Sequence, residues 1–210
     1  MVLFLSLSLT KDNKRFTIWH LAPILITIAL ILTKSLGAWL SLISAFVILF
    51  LLSCKSFKYK RLLMPLFIIS TIFIIFFIMF SRHERLLDLN NPQNSITQRL
   101  NYWRTAIAII KDHPVSGVGL GNFQEVFLDY KIGLETDTRY AHNIFLHQWA
   151  ETGILGFIGL LLLVAIFFKK SLSKSKYLFS AGLVFILHNL VDITYFVPQS
   201  GLYWWIILGL

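Results

Sequence analysis

Long apolar runs constrain this chain more than any other feature. Residues 16–33, 35–54, 62–80 and 152–168 carry almost no charge. Each is close to the ~20 residues that an α-helix needs to cross a hydrocarbon core of about 30 Å. A soluble domain is about 45–50% apolar and about 25% charged. This chain is 57% hydrophobic and 14% charged, so a water-soluble globule of 210 residues could not hide its apolar surface. The solvent is therefore expected to be lipid. A fifth run, 177–191, is interrupted by His188 and extends past Asp192 to Phe196. The stubs 1–9 and 200–210 are too short to span and read as cut surfaces of a larger bundle. No basic residue precedes the first apolar stretch and no small-residue cleavage site follows it, so the start does not read as a signal peptide. The single cysteine, Cys54, excludes a disulfide scaffold.

The formal charge of +9 would suggest nucleic acid in a soluble protein. Here it sorts by side of the membrane. Lys11, Lys14, Arg15, Lys55, Lys58, Lys60, Arg61, Lys169, Lys170, Lys174 and Lys176 fall in three short loops with one acid, Asp12. All three loops lie on one side if each long run crosses once, and basic loops mark the cytoplasmic side. The opposite side receives residues 81–142, with seven acids and seven basic residues. The expectation is an all-α, polytopic transmembrane helix bundle with a periplasmic loop that contains an amphipathic helix. Transmembrane helices fill 1–80 and 144–210, and the loop fills 81–143. No nucleic-acid partner is expected, and membrane lipids surround the bundle.

The loop has internal order. Ser95 to Gln98 fits a capping box, S-x-x-Q. Ile96, Leu100, Trp103, Ile107 and Ile110 then recur at helical spacing, and Pro114 stops the helix. Its polar positions include Gln98, Arg99, Asn101, Arg104 and Thr105, and taken singly each arginine fits a solvated face as well as a ligand site. Gly117, Gly119 and Gly121 alternate ahead of Asn122, which marks a tight bend or a close backbone approach. The G-x-G-x-x-G spacing of a dinucleotide site is absent. His142 opens the next membrane helix at the water boundary, where an imidazole can titrate. Asn143, His147 and Glu151 share one helix face, and a polar stripe entering a membrane needs a cavity or a bundle interior. Gly153, Gly156 and Gly159 are expected to serve close helix packing. His188 and Asp192, one turn apart, form a lesser candidate, with a water-exposed helix end as the plainer alternative.

Arg99-x-x-x-Trp103, then Asp112-His113-Pro114-Val115-Ser116-Gly117-Val118-Gly119-Leu120-Gly121-Asn122-Phe123, then Ala141-His142-Asn143 and Glu151-x-Gly153-x-x-Gly156 together resemble the O-antigen ligase and O-antigen polymerase family. The resemblance runs from about Thr33 to the end of the chain. It implies a glycosyltransferase of the bacterial inner membrane with its active face in the periplasm. Such an enzyme takes a glycan from undecaprenyl pyrophosphate, without metal or other cofactor. The acceptor is lipid A-core in ligases, another glycan in polymerases, and a protein hydroxyl in related enzymes. The resemblance assigns Arg99 to pyrophosphate and His142 to activation of the acceptor. It makes Arg104, Lys34, Gly117, Gly119, Gly121, Asn122, Asn143 and Glu151 candidates for substrate binding. Where members carry an arginine near the end of an early span, this sequence has Leu36, with Lys34 two residues away. Members are also longer, so this chain alone is expected to be inactive. The competing readings are a transporter of lipid-linked sugars and an inactive fragment.

The residue chemistry points the same way without the resemblance. A departing pyrophosphate gains charge, and a guanidinium meets it with paired donors. An alcohol is a poor nucleophile near neutral pH, and a histidine within reach can take its proton.

Overall fold

The computed structural model describes residues 3–6, 21–33, 35–53, 65, 69, 76, 88, 94–132 and 137–209. Every regular element among the described residues is helical. The helices are α1 (Leu21–Thr33), α2 (Leu36–Ser53), α3 (Ser95–Asp112), α4 (Phe123–Tyr130), α5 (Ile144–Lys174), α6 (Lys176–His188) and α7 (Pro198–Gly209). Only α5, among the described residues, is both long and apolar enough to cross a membrane, and α1, α2 and α6 are shorter apolar helices. Most of the expected span at 62–80 lies outside the described residues, as do Lys34 and Cys54.

The chain divides into two compact units. One comprises Met1–Ser81, Phe168–His188 and Ile207–Leu210. Its core joins Leu42 and Ala45 of α2 to Ala181 and Val184 of α6, with Phe4 against Phe46 at 4.7 Å between ring centres. Ser41, Ser180 and Gly182 are also buried there. Small residues let helix backbones approach closely, which is how apolar helices associate where the hydrophobic effect gives no preference between neighbour and lipid.

The other unit comprises Arg82–Phe167 and Asn189–Ile206. Tyr102, Ala106, Ile109 and Ile110 of α3 pack on Phe123 and Phe127 of α4 and on Ala141 and Ala150. Asn94, not Ser95, caps α3: its Oδ1 accepts the backbone N–H groups of Ile96 and Thr97. A capping asparagine serves orphan amides as well as serine does, and the helix begins one residue earlier than the S-x-x-Q pattern implies. Ile96, Leu100 and Ile107 are exposed, whereas Asn101, Tyr102 and Thr105 are buried. The packed face combines Tyr102, Ile109 and Ile110 with the smaller or polar Asn101, Thr105 and Ala106.

Helix α5 is broken at Gly153, whose φ of 67° and ψ of −169° leave the helical region. A break strands carbonyls on one side and an N–H on the other. The segment after α3 takes up these groups. Val118 N–H donates to Ala150 O and Gly119 N–H to Glu151 O, each at 2.9 Å, and Ile154 N–H donates to Pro114 O at 3.0 Å. The Trp149 indole N–H also donates to Pro114 O, at 3.1 Å. Beyond the break, residues 154–174 run about 30 Å at 1.5 Å per residue, one hydrocarbon thickness. This stretch turns Leu155, Ile158, Leu162 and Ile166 outward, as a lipid-facing helix does.

The three glycines of α5 therefore have different roles. A Cβ on Gly153 would collide with Val115 O, and its positive φ disfavours any L side chain. A Cβ on Gly156 would strike the Thr152 side chain of the same helix, and one on Gly159 meets nothing within 4 Å. Among the described residues, the nearest atoms to Gly153 and Gly156 belong to the Pro114–Gly117 loop or to α5 itself, not to a second helix. Gly153→Ala is expected to lower the unfolding temperature in detergent. The left-handed backbone alone costs roughly 1–2 kcal/mol for an L residue, and the clamp bonds are lost in addition. Gly159→Ala should match or exceed wild type, because alanine is the better helix former by up to about 1 kcal/mol. Equal melting of the two variants would rule out the break as a structural requirement.

Candidate active site

His142 stands at the entry to α5 with φ of 52°, the only described non-glycine residue in the left-handed region. That conformation costs roughly 1–2 kcal/mol and persists only where its surroundings impose it. Two clamps do so. On one side, Ala141 N–H donates to Nδ1 of His147 at 3.4 Å. On the other, Asn143 Oδ1 accepts the N–H groups of Phe145 (3.0 Å) and Leu146 (3.1 Å), and its Nδ2 donates to Leu190 O at 3.1 Å. Ile144 N–H adds a bond to Asn189 O at 2.9 Å. The Asn143 amide thus caps α5 and ties it to the 189–196 segment.

The His142 ring stacks on Tyr102, 5.4 Å between centres and 22° from parallel. Its Nδ1 is shielded from solvent and has no hydrogen-bond partner among the described residues. Burial pushes its pKa below the ordinary histidine value, and the Arg99 cation and His147 act in the same direction. Asp192 opposes them. Burial and the Arg99 cation favour the neutral imidazole, the form that can accept a proton.

Arg99 lies on α3, half buried. Its Nε–H donates to Val191 O at 2.5 Å and an Nη1–H to Ser95 O at 3.1 Å. The rest of its five-donor fork is uncommitted among the described residues. Arg104 is not gathered with this pair. Five residues on, it lies about 140° around the helix from Arg99. It is exposed and donates to Asn101 Oδ1 at 3.3 Å.

Glu151 is buried and its carboxylate serves the protein itself. It accepts the backbone N–H of Gly121 and that of Phe123, the latter at 3.3 Å, which places an anion at the N-terminus of α4. Asn122 makes no side-chain cap there and donates instead from Nδ2 to Val118 O at 3.0 Å. Gly117, Gly119 and Gly121 all have positive φ. A Cβ on Gly117 would collide with Glu151 O, so this glycine permits the close approach of loop and helix. Gly121 alone faces open space. Among the described residues, no group of three or more His, Cys, Asp or Glu is placed to hold a metal ion.

The structure stacks His142 on Tyr102, one turn along α3 from Arg99, whose charge acts on the ring; Asn143 and Glu151 hydrogen-bond to the backbone, and Arg104 turns to another face. It adds two features. Asp192 and Val191 reach the pair from the 189–196 segment, which the sequence offered only as a lesser site. His147 fills a box of Phe123 (4.8 Å), Tyr140 (5.5 Å) and Phe196 (4.4 Å), with Nε2 lying 3.4 Å from Glu151 Oε1. The only sequence signal for His147 was its place on the face between Asn143 and Glu151.

Residues 21–161 match the O-antigen ligase family, so the chain belongs to that family, whose members are membrane-associated. It is also 28% identical to an uncharacterized protein of Haemophilus influenzae over 228 aligned positions, covering 96% of this chain and 56% of that relative. The chain thus spans little more than half of the relative's length. No solved structure matches it.

The position of Arg99 beside His142 has a measurable consequence. A cation disfavours a second positive charge, so Arg99→Gln should raise the His142 pKa toward the usual value of about 6.5. Diethylpyrocarbonate reacts with the unprotonated imidazole, so its rate at His142 follows deprotonation independently of turnover. Mass-spectrometric readout at His142 should place the wild-type midpoint below the usual value and the Arg99→Gln midpoint above that of wild type. Coincident midpoints would mean that the guanidinium does not act on the ring.

Proposed function

We propose that this protein transfers a glycan from undecaprenyl pyrophosphate to an acceptor hydroxyl at the periplasmic face of the bacterial inner membrane, in the manner of an O-antigen ligase. The observation that carries the reading is His142: a left-handed residue whose buried Nδ1 has no partner among the described residues, whose ring is biased to the neutral form by burial and by the Arg99 charge, and which stands at the mouth of a membrane-length helix. In this reading the acceptor oxygen attacks the anomeric carbon, and its proton passes to His142. The bond from that carbon to the pyrophosphate oxygen breaks with its electron pair. Arg99 receives the charge that develops on the departing pyrophosphate, and no covalent enzyme intermediate is needed. The acceptor is lipid A-core or a growing glycan.

The surrounding architecture in this proposal is a multi-pass bundle at 1–80 and 144–210 with a catalytic loop at 81–143. Lys169, Lys170 and Lys174 lie at the end of α5 opposite His142, and such a basic end favours the cytoplasmic side. Impermeant thiol labelling tests this orientation in cells with a permeabilised outer membrane. Asp137→Cys should label and Lys170→Cys should not, and the reverse pattern would invert the site.

The chemical test is transfer from a polyprenyl-pyrophosphate glycan, using membranes that contain the natural gene product. His142→Ala should lose about 10²–10⁴-fold in rate while the protein still inserts. Arg99→Lys should lose nearly as much as Arg99→Ala, because lysine keeps the charge without the paired donors. Chelators should change neither the wild type nor these defects. Full activity in His142→Ala, or loss of wild-type transfer with EDTA, would overturn the mechanism. Loss of the whole surface-glycan ladder with core intact is expected for a ligase. Collapse to one repeat would reassign the acceptor to another glycan, and altered glycoproteins would reassign it to protein.

A further inference from the structure

His142 lies between two backbone clamps, and one of them is built from a histidine that takes no part in the proposed proton transfer. His147 is 2% exposed, which is unusual for an ionisable ring unless its position matters. Its Nδ1 accepts the Ala141 N–H, so the ring proton resides on Nε2, which faces Glu151 Oε1 at 3.4 Å. Glu151 is itself fixed by the Gly121 and Phe123 amides and by the loop bonds at the α5 break. The sequence of contacts therefore leads from the Gly117–Gly121 loop through the Glu151 carboxylate and the His147 ring to the residue immediately before His142.

We infer that His147 is a positioning residue for His142, with Glu151 selecting the tautomer that lets Nδ1 hold the Ala141 amide. This rests on the proposed role of His142 as the base. The left-handed backbone at His142 needs support from both neighbours. Asn143 supplies it on the helix side, and His147 supplies it on the loop side. If the Ala141 amide is released, His142 relaxes toward an ordinary backbone and its ring leaves the stack on Tyr102. Misplacement of a reacting group by about 1 Å can cost on the order of 10²-fold in rate. Such a defect falls on turnover, because the groups that hold the donor pyrophosphate are untouched.

The test compares side chains that separate packing from hydrogen bonding in the same transfer assay. His147→Phe keeps an aromatic ring in the box of Phe123, Tyr140 and Phe196 but offers no acceptor. His147→Asn places an amide oxygen near the position of Nδ1, and His147→Leu has the same branching without an acceptor. His147→Phe and His147→Leu should lose roughly 10–100-fold in kcat with donor KM within about twofold of wild type. His147→Asn should recover most of that loss. Wild-type kcat in His147→Phe, or equal defects in His147→Asn and His147→Leu, would overturn the positioning role and leave His147 a packing residue. If phenylalanine prevents accumulation, the Asn and Leu pair still decides the question. An inactive His142→Ala together with a fully active His147→Phe would remove this inference alone. An active His142→Ala would remove it together with the proposed function.

Discussion

Backbone polar groups inside or beside a bilayer must be satisfied by the protein, because hydrocarbon offers them no partner. Gly153 creates that demand by breaking α5, and the segment from Pro114 to Gly119 answers it with three backbone bonds. Much of the site follows from this clamp. It holds the loop against the helix so closely that Gly117 tolerates no side chain. It brings Gly121 and Phe123 over the Glu151 carboxylate, and so sets the start of α4. Phe123 and Phe127 of α4 then meet Tyr102, on which His142 rests. A loop that would have been entropically expensive to order becomes rigid because its amides complete a helix.

The electrostatics of the pair have a similar economy. Arg99 beside His142 is unfavourable for a protonated imidazole, and burial adds to that penalty. Both effects keep the ring in the form that can accept a proton. When a proton arrives, the same cation opposes it, which would weaken the base if nothing compensated. Asp192 acts in the opposite direction. A pyrophosphate drawing on the free donors of Arg99 would neutralise the cation as well. In the proposed reaction the base therefore grows stronger as the donor binds and as negative charge develops, so its basicity follows the reaction coordinate.

Some of this was legible in the residues and some was not. The helical content follows from the apolar runs, and the motif string from Arg99 to Gly156 singled out both Arg99 and His142. Arg104 stands apart from Arg99 because nearness in sequence says little about facing, and five residues turn the side chain away. The α3 stripe shows what periodicity leaves open. Periodicity marks the most apolar face, and in a soluble protein that face is the core. Here Ile96, Leu100 and Ile107 point outward, while the packed face carries Asn101, Tyr102, Thr105, Ala106, Ile109 and Ile110. An amphipathic helix at a membrane surface can turn such residues outward. Gly153 was ambiguous too, since close helix packing and a broken helix both use glycine at this spacing. Only the stranded carbonyls of Ala150 and Glu151, visible in three dimensions, distinguish them.

On the proposed reading, the break also relates the site to the height at which a lipid-linked donor presents its charge. A polyprenyl chain stays in hydrocarbon, so its pyrophosphate waits at the boundary between hydrocarbon and water. Residues 154–174 of α5 match the hydrocarbon thickness, which leaves 144–152 as a further segment on the water side. His142 and Asn143 lie at the start of that segment, and Glu151 at its end beside the break. An uninterrupted 31-residue helix would be longer than the hydrocarbon and would meet the mismatch by tilting or by distorting the bilayer. Breaking it at Gly153 frees the upper segment to take its own direction, and the loop that repairs the break also orders the base. On the proposed reading, the element that sets where the membrane ends also sets where the reaction occurs.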